Sequence, residues 1–286
     1  MNYYLRSRSE ILSELQIRVN DTADSRWSEK EKMTALNAAI RRWTDRLLIP
    51  FVYEPSTGLS SNSWTFDIPD YIDPRYMRPQ IEQLGDENDY PYLYGKVDTW
   101  VNLLDYTVEP DGSGGFRLRT GGIRYDSDFR IVFWASPGPL PLDESSTSPV
   151  VLLDSTTSMT ITTSENNMPR SGFVKIGNEW IQYAGLADGG TTITLSNLIR
   201  GIDGTTTATH APDTTVDWGI AMDRADLIEQ LINQATAIMH MQYLSQASPQ
   251  EREAHTFITR YAQQAADEYW RSYHSAYEPI MKIDLR

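Results

Sequence analysis

Residues 172–183 read Gly-Phe-Val-Lys-Ile-Gly-Asn-Glu-Trp-Ile-Gln-Tyr, and residues 198–210 read Leu-Ile-Arg-Gly-Ile-Asp-Gly-Thr-Thr-Thr-Ala-Thr-His. Apolar and polar side chains alternate along this part of the chain, as they do in strands with one buried face. Three dipeptides that favour tight turns interrupt the alternation, namely Gly177-Asn178, Asp188-Gly189 and Asp203-Gly204. The pattern predicts a module of short antiparallel strands. Since it gathers no cluster of nucleophile, base or metal ligands, it favours a contact surface over a catalytic centre.

Helical periodicity lies on both sides of this module. Residues 9–20 have one apolar face, and Ser28-Glu29-Lys30-Glu31 has capping-box spacing at the start of a second helix, which Pro50 ends. Another apolar stripe runs from Asp223 to about Ala247. Ser248-Pro249-Gln250-Glu251 then combines an N-cap serine, a proline at the first helical position and a glutamate at the third. We expect the four helices to pack together while the strands project from them.

These patterns of strand alternation and helical periodicity divide the chain into four parts. Residues 1–50 and 219–286 are predicted to form a helical core, and residues 51–135 an antiparallel β region. Residues 136–149 contain four prolines and are predicted to be a linker into an inserted small β barrel or sandwich at 150–218. The predicted fold class is therefore α+β, a helical bundle from N- and C-terminal helices with large antiparallel β insertions.

The negative charge is concentrated in the middle of the chain. The net charge is −14, and residues 51–218 hold 10 basic and 23 acidic side chains, or −13 of the total. An acidic surface repels phosphate, which argues against gripping nucleic acid in a basic groove. Such a surface is compatible with a passage through which DNA slides without sticking, and equally with simple solubility.

Other compositional features exclude further classes of protein. The chain has no cysteine, which excludes disulfide frameworks, thiolate catalysis and cysteine-ligated zinc. The first twenty residues lack the apolar stretch of a secretory signal, and no segment has the roughly 20 apolar residues of a membrane span. The sequence therefore predicts a protein made in a cytoplasm without a membrane partner.

No constellation of residues predicts a catalytic or metal site. The histidines lack HExxH or other compact ligand spacing, and Gly112-Ser113-Gly114 lacks the outer glycines of a nucleophile elbow, so a turn is predicted there. Acidic residues that could serve a glycosidase or a calcium ion do not follow EF-hand order. The histidines are His210, His240, His255 and His274, and the acidic residues are Asp86, Glu87, Asp89, Asp126 and Asp128. We predict no catalytic residue, no metal, no cofactor and no enzymatic activity.

Aromatic residues are dense at the end of the last helix. Tyr269, Trp270, Tyr273 and Tyr277 precede the extended peptide 278–286, which reads Glu-Pro-Ile-Met-Lys-Ile-Asp-Leu-Arg. Tyr269 and Tyr273 are i, i+4 neighbours and suit an ordinary core equally well. Because aromatic residues supply contact area at small entropic cost, they are favoured as interface candidates.

Two stretches resemble proteins of tailed bacteriophages. Asn20-Asp-Thr-Ala-Asp-Ser-Arg-Trp-Ser-Glu-Lys-Glu-Lys-Met-Thr-Ala-Leu-Asn-Ala-Ala-Ile-Arg-Arg-Trp43 resembles the opening of head-to-tail adaptor proteins, also called connector or head-completion proteins. In that family, a short helix, a loop ending in Arg-Trp-Ser or similar and a helix containing Leu-Asn-Ala recur. Residues 172–216, with Ile-Gly-Asn-Glu-Trp-Ile-Gln-Tyr and Ile-Arg-Gly-Ile-Asp-Gly-Thr, look like a β module found in several phage virion proteins.

The resemblance implies a ring, commonly dodecameric, that binds beneath the portal and continues the DNA channel toward the tail. The implied partners are the portal protein, neighbouring adaptor subunits and tail or nozzle proteins, and DNA passes through without specific binding. The implied location is the neck of the virion. In such adaptors a terminal segment often docks on the portal, and the docking candidates here are Tyr277, Glu278, Pro279, Ile280, Met281, Lys282, Ile283, Asp284, Leu285 and Arg286.

Two other functions remain open at this point. The chain is also compatible with a tail, fibre or baseplate component whose β module contacts a host surface or another virion protein. A glycan-cleaving depolymerase would use the acidic pairs, but such enzymes usually carry long repetitive β structure, which this sequence lacks. Helices at both ends of the chain favour the adaptor.

Overall fold

We describe the protein from a computed structural model. It describes residues 4–43, 49–53, 65–69, 72, 80–84, 100–102, 106–120, 129–135, 138–142, 146–148, 157–163, 168–222, 225–244 and 247–277. These residues form helices α1 (Arg8–Arg18), α2 (Glu29–Trp43), α3 (Ala225–Tyr243) and α4 (Pro249–Tyr277). Sixteen strands lie in the same residues and make up three antiparallel sheets.

The strands divide among the sheets as follows. The largest sheet contains β1 (Tyr4–Ser7), β9 (Thr147–Ser148), β10 (Ser158–Thr162), β11 (Gly172–Ile176), β12 (Glu179–Tyr183), β13 (Leu186–Asp188), β14 (Thr192–Ser196), β15 (Ile199–Arg200) and β16 (Thr214–Met222). A second sheet contains β2 (Ile49–Tyr53), β4 (Gln80–Leu84), β5 (Trp100–Asn102) and β8 (Phe129–Ala135). A third contains β3 (Thr65–Ile68), β6 (Tyr106–Pro110) and β7 (Phe116–Thr120).

The largest sheet is organised around its longest strand, β16. Its order is β13-β14-β10-β9-β16-β11-β12-β15, and β1 also pairs with β16, so that Leu5 lies opposite Ala221. The end of β12 turns back toward β14, because the Ala184 amide donates to the Ser196 carbonyl at 3.2 Å and the Ser196 amide donates to the Gly185 carbonyl at 3.0 Å. These two bonds connect the strand path into a ring, which gives the strands from β9 to β16 a barrel-like closure.

The turns predicted from the sequence are confirmed. Gly177-Asn178 joins β11 to β12, and Asp188, the last residue of β13, is followed by Gly189 in the turn before β14. At the third turn Asp203 and Gly204 have φ angles of 57° and 73°, a left-handed conformation that aspartate and glycine adopt more readily than most residues. The local signal was sufficient because turn geometry depends on the backbone of these residues alone.

The two faces of the large sheet are buried against different partners. One face contributes Val174, Ile181 and Trp218 to a cluster that also contains the apolar stripes of α1, α2 and α3. Phe173 and Ala221 point to the opposite face, where they join a second cluster with residues of β2 and β8. The Phe51 and Phe173 ring centroids lie 5.3 Å apart across that contact. The module is therefore sandwiched between the helices and the second sheet.

The predicted fold class, a helical bundle with β insertions, is wrong. The described chain is β-rich, with one nine-stranded antiparallel sheet and two smaller sheets beside four helices. Helix α3 contacts the other three helices, yet α1 and α3 also pack on β16 and share one core with the sheet. Helical periodicity shows that a face is buried but does not say whether a helix or a sheet covers it. The prediction from the sequence therefore gave the helices too large a share of the fold.

The helix starts agree better with the sequence. The Ser28 amide donates to Glu31 at 2.8 Å while the Glu31 amide donates to the Ser28 hydroxyl at 3.3 Å, which is the predicted capping box of α2. Ser248 and Glu251 make the same reciprocal pair at the start of α4. Helix α1 has a further capping box, made by Ser7 and Glu10.

The proline-rich segment contacts the helices where it is described. The Asn37 side chain donates to the Leu140 carbonyl at 2.7 Å and accepts from the Leu140 amide at 2.9 Å. Buried Arg8 donates to the carbonyls of Pro141 and Leu142, both at 2.8 Å, and also pairs with Glu29. These bonds hold residues 140–142 against α1 and α2, and the Leu140 side chain lies in the shared core.

Candidate functional site

The loop between α1 and α2 folds around the carboxylate of Asp21. This carboxylate accepts hydrogen bonds from the amide and hydroxyl of Ser25, at 2.9 and 2.8 Å, and from the Trp27 amide at 2.9 Å. Burial raises the pKa of Asp21, but the bonds from Trp27, Ser25, Lys32 and Arg26 outweigh it and hold the pKa well below its usual range. The loop is therefore built on a permanently charged centre.

Lys32 of α2 pairs with the Asp21 carboxylate and so completes this charged network. Its side chain is fully buried, and its ammonium donates to the Asp21 carbonyl at 2.7 Å. It also pairs with the carboxylates of Asp21 and Asp24, at 3.1 and 2.5 Å. Asp21 and Asp24, together with Lys32, thus fix the loop that presents Arg26 and Trp27.

Arg26 and Trp27 meet the end of α3 in an aromatic cluster. Trp27 is buried, and its ring lies edge-on to His240 and Tyr243, with centroids 5.4 and 5.9 Å apart. The Arg26 guanidinium lies 5.4 Å from the ring centroids of both Trp27 and Tyr243. Two cation–π contacts therefore position this charged group.

A histidine pair connects α3 to α4 next to this cluster. The Nδ1 atoms of His240 and His255 are 2.5 Å apart, and both side chains are buried. One ring nitrogen must be protonated and the other unprotonated for this bond to form, so at most one of the two rings can be cationic. Burial, followed by His255 and Arg26, lowers the pKa of His240 to about 4. Burial and Arg26 also lower the pKa of His255, although Glu251 opposes the shift.

The pair was not predicted from the sequence, because the two histidines lack the compact spacing that is typical of metal ligands. His240 and His255 stand at nearly equal distances along the chain from Ser248, where α4 begins. Two antiparallel helices bring such positions together, so the symmetry around the helix–helix turn was a usable signal. Equal distances from a helix–helix turn predict that two residues on neighbouring helices are in contact. Compact spacing within one helix or loop predicts instead that the residues bind the same metal ion.

A groove of about 530 Å³ lies between the α1–α2 loop, α3 and α4, and the histidine pair forms part of its wall. Its size falls in the range of ordinary ligand pockets. The polar residues that line it include Arg18, Arg26, Asn233, His240 and His255, and its apolar edge includes Tyr261. Asn233 is fixed there because its side-chain oxygen accepts a hydrogen bond from Arg18 at 2.8 Å.

Helix α4 carries an apolar face that nothing in the described chain covers. Phe257 and Tyr261, one turn apart, are 71% and 70% exposed, and Ile258 beside them is 37% exposed. The helix packs mainly on α3 through its other side, where Ala262 and Ala266 are buried. Phe257 and Tyr261 lie in the part of α4 that precedes the predicted interface aromatics.

The quoted strands of the β module have a polar network of their own. Glu179 is buried and receives two bonds from Arg200, at 2.6 and 2.7 Å. It also contacts His210 Nε2 at 2.7 Å and accepts from the Ala208 amide at 3.1 Å. Burial raises the pKa of Glu179, but the bonds from Arg200, His210 and Ala208 keep it below its usual value. These conspicuous residues of the module therefore tie the 200–210 loop to β12.

The predicted aromatic candidates lie on α4, and the docking peptide lies beyond it. Tyr269, Trp270, Tyr273 and Tyr277 belong to the helix, which ends at Tyr277. Their side chains fall outside the described residues, as do Glu278, Pro279, Ile280, Met281, Lys282, Ile283, Asp284, Leu285 and Arg286. Their proposed contacts stay predictions.

The remaining candidates are turns or fall outside the described residues. Asp111 accepts from Ser113 and Gly115 in the tip between β6 and β7, as expected for the glycine-rich turn. The described residues contain no group of three or more His, Asp or Glu side chains that could hold a metal ion. The acidic residues Asp86, Glu87, Asp89, Asp126 and Asp128, and the side chain of His274, are outside the described part.

Comparison with known protein families, curated proteins and solved structures finds no significant match to this chain. Among the described helices, none is both long and apolar enough to cross a membrane. The function must therefore be argued from the groove, the uncovered face of α4 and the distribution of charge.

Proposed function

We propose that the protein is a structural virion component, a head-to-tail adaptor that joins neighbouring copies in a ring beneath the portal and extends the DNA channel toward the tail. The observation that carries this proposal is the uncovered face of α4. Phe257 and Tyr261 are 71% and 70% exposed on a well-formed helix. Burying such a side chain is worth roughly 1.5–3 kcal/mol, so the face favours a partner.

A ring uses this kind of surface in a specific way. Head-to-tail contacts are heterologous, so each subunit presents two different faces, and α4 supplies one of them. Small contributions at each contact are multiplied around the ring, because each subunit is held by two neighbours and by the portal. The charge of −14 suits a channel wall that does not retain DNA. On this proposal the protein acts through contacts, not through catalysis, and belongs to the neck of the virion.

The first test mixes the purified protein with its portal and examines it by negative-stain electron microscopy. Rings, or an added layer beneath the portal, would support the adaptor. We expect Phe257→Ala with Tyr261→Ala to remove the layer, and Glu253→Ala, at an exposed position of the same helix, to leave it unchanged. Protein that ignores the portal would refute the proposal and favour the tail, fibre or baseplate component.

A second test concerns the portal-docking peptide. Deletion of 278–286 together with substitution of Tyr277 should weaken portal binding while the circular dichroism spectrum stays unchanged, since these residues are the last residue of α4 and the peptide that follows it. Binding would be measured by co-sedimentation with capsids. Normal binding of the truncated protein would show that another surface contacts the portal, without affecting the ring contact through α4.

A further inference from the structure

The groove between the α1–α2 loop, α3 and α4 continues the uncovered face of α4. Ile258 and Tyr261 belong to that face and also line the groove, together with Ala254 and Ala262. A partner that buries the Tyr261 ring must therefore cover this edge of the groove as well. The contact between neighbouring copies through α4 thus extends into the groove.

The charges that line the groove are balanced. Arg18 and Arg26 contribute two positive groups, and the carboxylates of Asp21 and Glu251 contribute two negative ones. Burial lowers the pKa of both histidines of the pair, so they are neutral at pH 7. The groove therefore has no excess charge to attract an ion, and its occupant is selected by shape and by the mixture of apolar and polar groups.

The far end of α4 extends past α3. Because His240 contacts His255, the antiparallel packing of the two helices places Ala225, the first residue of α3, near Trp270 of α4. Residues 271–277 therefore run about 10 Å beyond the start of α3, at a rise of 1.5 Å per residue. Among the described elements α3 is the main contact of α4, so this end of the helix is placed to contact another molecule.

The composition of this end suits the groove. Residues 269–277 read Tyr-Trp-Arg-Ser-Tyr-His-Ser-Ala-Tyr and contain no acidic residue, in a chain whose net charge is −14. Repulsion between two copies is therefore reduced where this segment makes the contact. Tyrosine and tryptophan combine an apolar ring with one polar atom. The groove offers partners for both, since Ile258 and Ala262 line it beside Asn233 and Thr236.

The groove and the end of α4 cannot meet within one chain. Ala254 in the groove and Trp270 lie on the same helix, about 24 Å apart along its axis. Because a continuous helix does not bend back on itself, the end of α4 can enter only the groove of another molecule. A contact between two different surfaces is heterologous and repeats from copy to copy, as a ring requires.

We propose that Tyr269, Trp270 and Tyr273, at the end of α4 in one copy, insert into the groove of the next copy. The inference rests on the adaptor role and identifies the two different faces by which neighbouring copies join. One face is the groove with the adjoining Tyr261, and the other is the end of α4.

Site-specific cross-linking tests the proposal, because the native chain has no cysteine. The double variant Ala254→Cys with Ser272→Cys has one thiol in the groove and one at the end of α4. Assembled beneath the portal and treated with a short bismaleimide, it should give a ladder of covalent multimers on a denaturing gel, since each copy is linked to two neighbours. Each single variant should stay monomeric. So should Lys30→Cys with Ser272→Cys, the matched control, because Lys30 is exposed on α2, away from the groove.

Two substitutions in the double variant add a second readout. Trp270→Ala should lower the cross-linked fraction at least about tenfold, because a few buried aromatic residues carry most of the energy of an interface, whereas Glu253→Ala should leave it unchanged. A portal-bound layer that gives no ladder would overturn the inference and leave the adaptor role intact. Cross-linking that stops at dimers would also overturn it, because the contact would then be two-fold symmetric. Protein that neither binds the portal nor self-associates would refute the adaptor role, and this inference with it.

Discussion

At the scale of single residues, the buried charge of Lys32 constrains the loop between α1 and α2. Its ammonium is matched by Asp21 and Asp24, and Asp21 in turn holds the backbone of the following loop. A buried ion pair contributes little compared with an apolar replacement of the whole pair, but loss of one partner leaves the other uncompensated. The Asp21 carboxylate would then remain charged in a buried site.

Lys32→Met should accordingly lower the free energy of unfolding by about 3–5 kcal/mol. The measurement is urea denaturation followed by circular dichroism. Lys30→Met is the control, because Lys30 is exposed two residues away and should change stability by less than about 0.5 kcal/mol. Similar losses for the two variants would mean that the Asp21 network does not stabilise the fold.

The histidine pair predicts a dependence of stability on pH. His240 has a folded pKa of about 4 against an ordinary value of 6.5, so the unfolded chain binds its proton more readily. The stability that neutral His240 provides is therefore complete above pH 6.5 and falls progressively as the pH drops toward 4. Arg26 opposes protonation of both rings, whereas Glu251 favours protonation of His255.

His240→Gln should remove this contribution while keeping a hydrogen-bonding group opposite His255. Between pH 7 and 4 the native chain should lose roughly 2–3 kcal/mol more stability than the variant. Urea titrations at a series of pH values measure the difference. Parallel pH profiles would show that the pair is protonated in the folded protein without cost.

At the scale of elements, the network of Glu179 makes a prediction about the 200–210 loop. Arg200→Met removes both hydrogen bonds from a carboxylate whose side chain is 1% exposed. The uncompensated Glu179 should lower stability by about 3 kcal/mol and release the loop. Hydrogen exchange of the amides from 201 to 210 should accelerate, while that of α2 should not.

Arg200→Lys separates charge from geometry in the same network. Lysine keeps the charge but cannot make the bidentate contact, so the loop should show intermediate protection. Unchanged exchange in Arg200→Met would mean that His210 and the Ala208 amide alone hold Glu179.

Some of these elements could be predicted from the sequence and others could not. Helix starts and β turns were predictable, as at Ser28, Ser248 and Asp203, because each depends on residues within a few positions. Strand β1 was missed, since four residues of alternating burial next to a helix give too little pattern. The groove was missed for a different reason. Arg26, His240 and His255 come from three elements, and no spacing along the chain indicates that they meet.

At the scale of the whole molecule, the main correction concerns what the helices pack on. Ile11, Leu36 and Leu231 share one buried cluster with Val174 and other residues of the sheet. Helices α1, α2 and α3 are therefore one cover of a β structure, and the second sheet is the other. Because β1 precedes α1 and pairs with β16, chain segments that are distant in sequence close the same sheet.

A consequence is that the β module should not fold alone. A fragment of residues 150–218 lacks β1, β9 and the end of β16, and it exposes both Trp218, on the face the helices cover, and Phe173, on the face the second sheet covers. We expect its amide proton spectrum to show the narrow dispersion of an unfolded chain. In the full chain, far-ultraviolet circular dichroism and tryptophan fluorescence should report one coincident unfolding transition, since a shared core couples helices and sheet. A fragment with dispersed resonances and a cooperative melt, or two separate transitions in the full chain, would instead mean that the barrel-like strands are stable without their covers, and that the helices are joined to an independent domain.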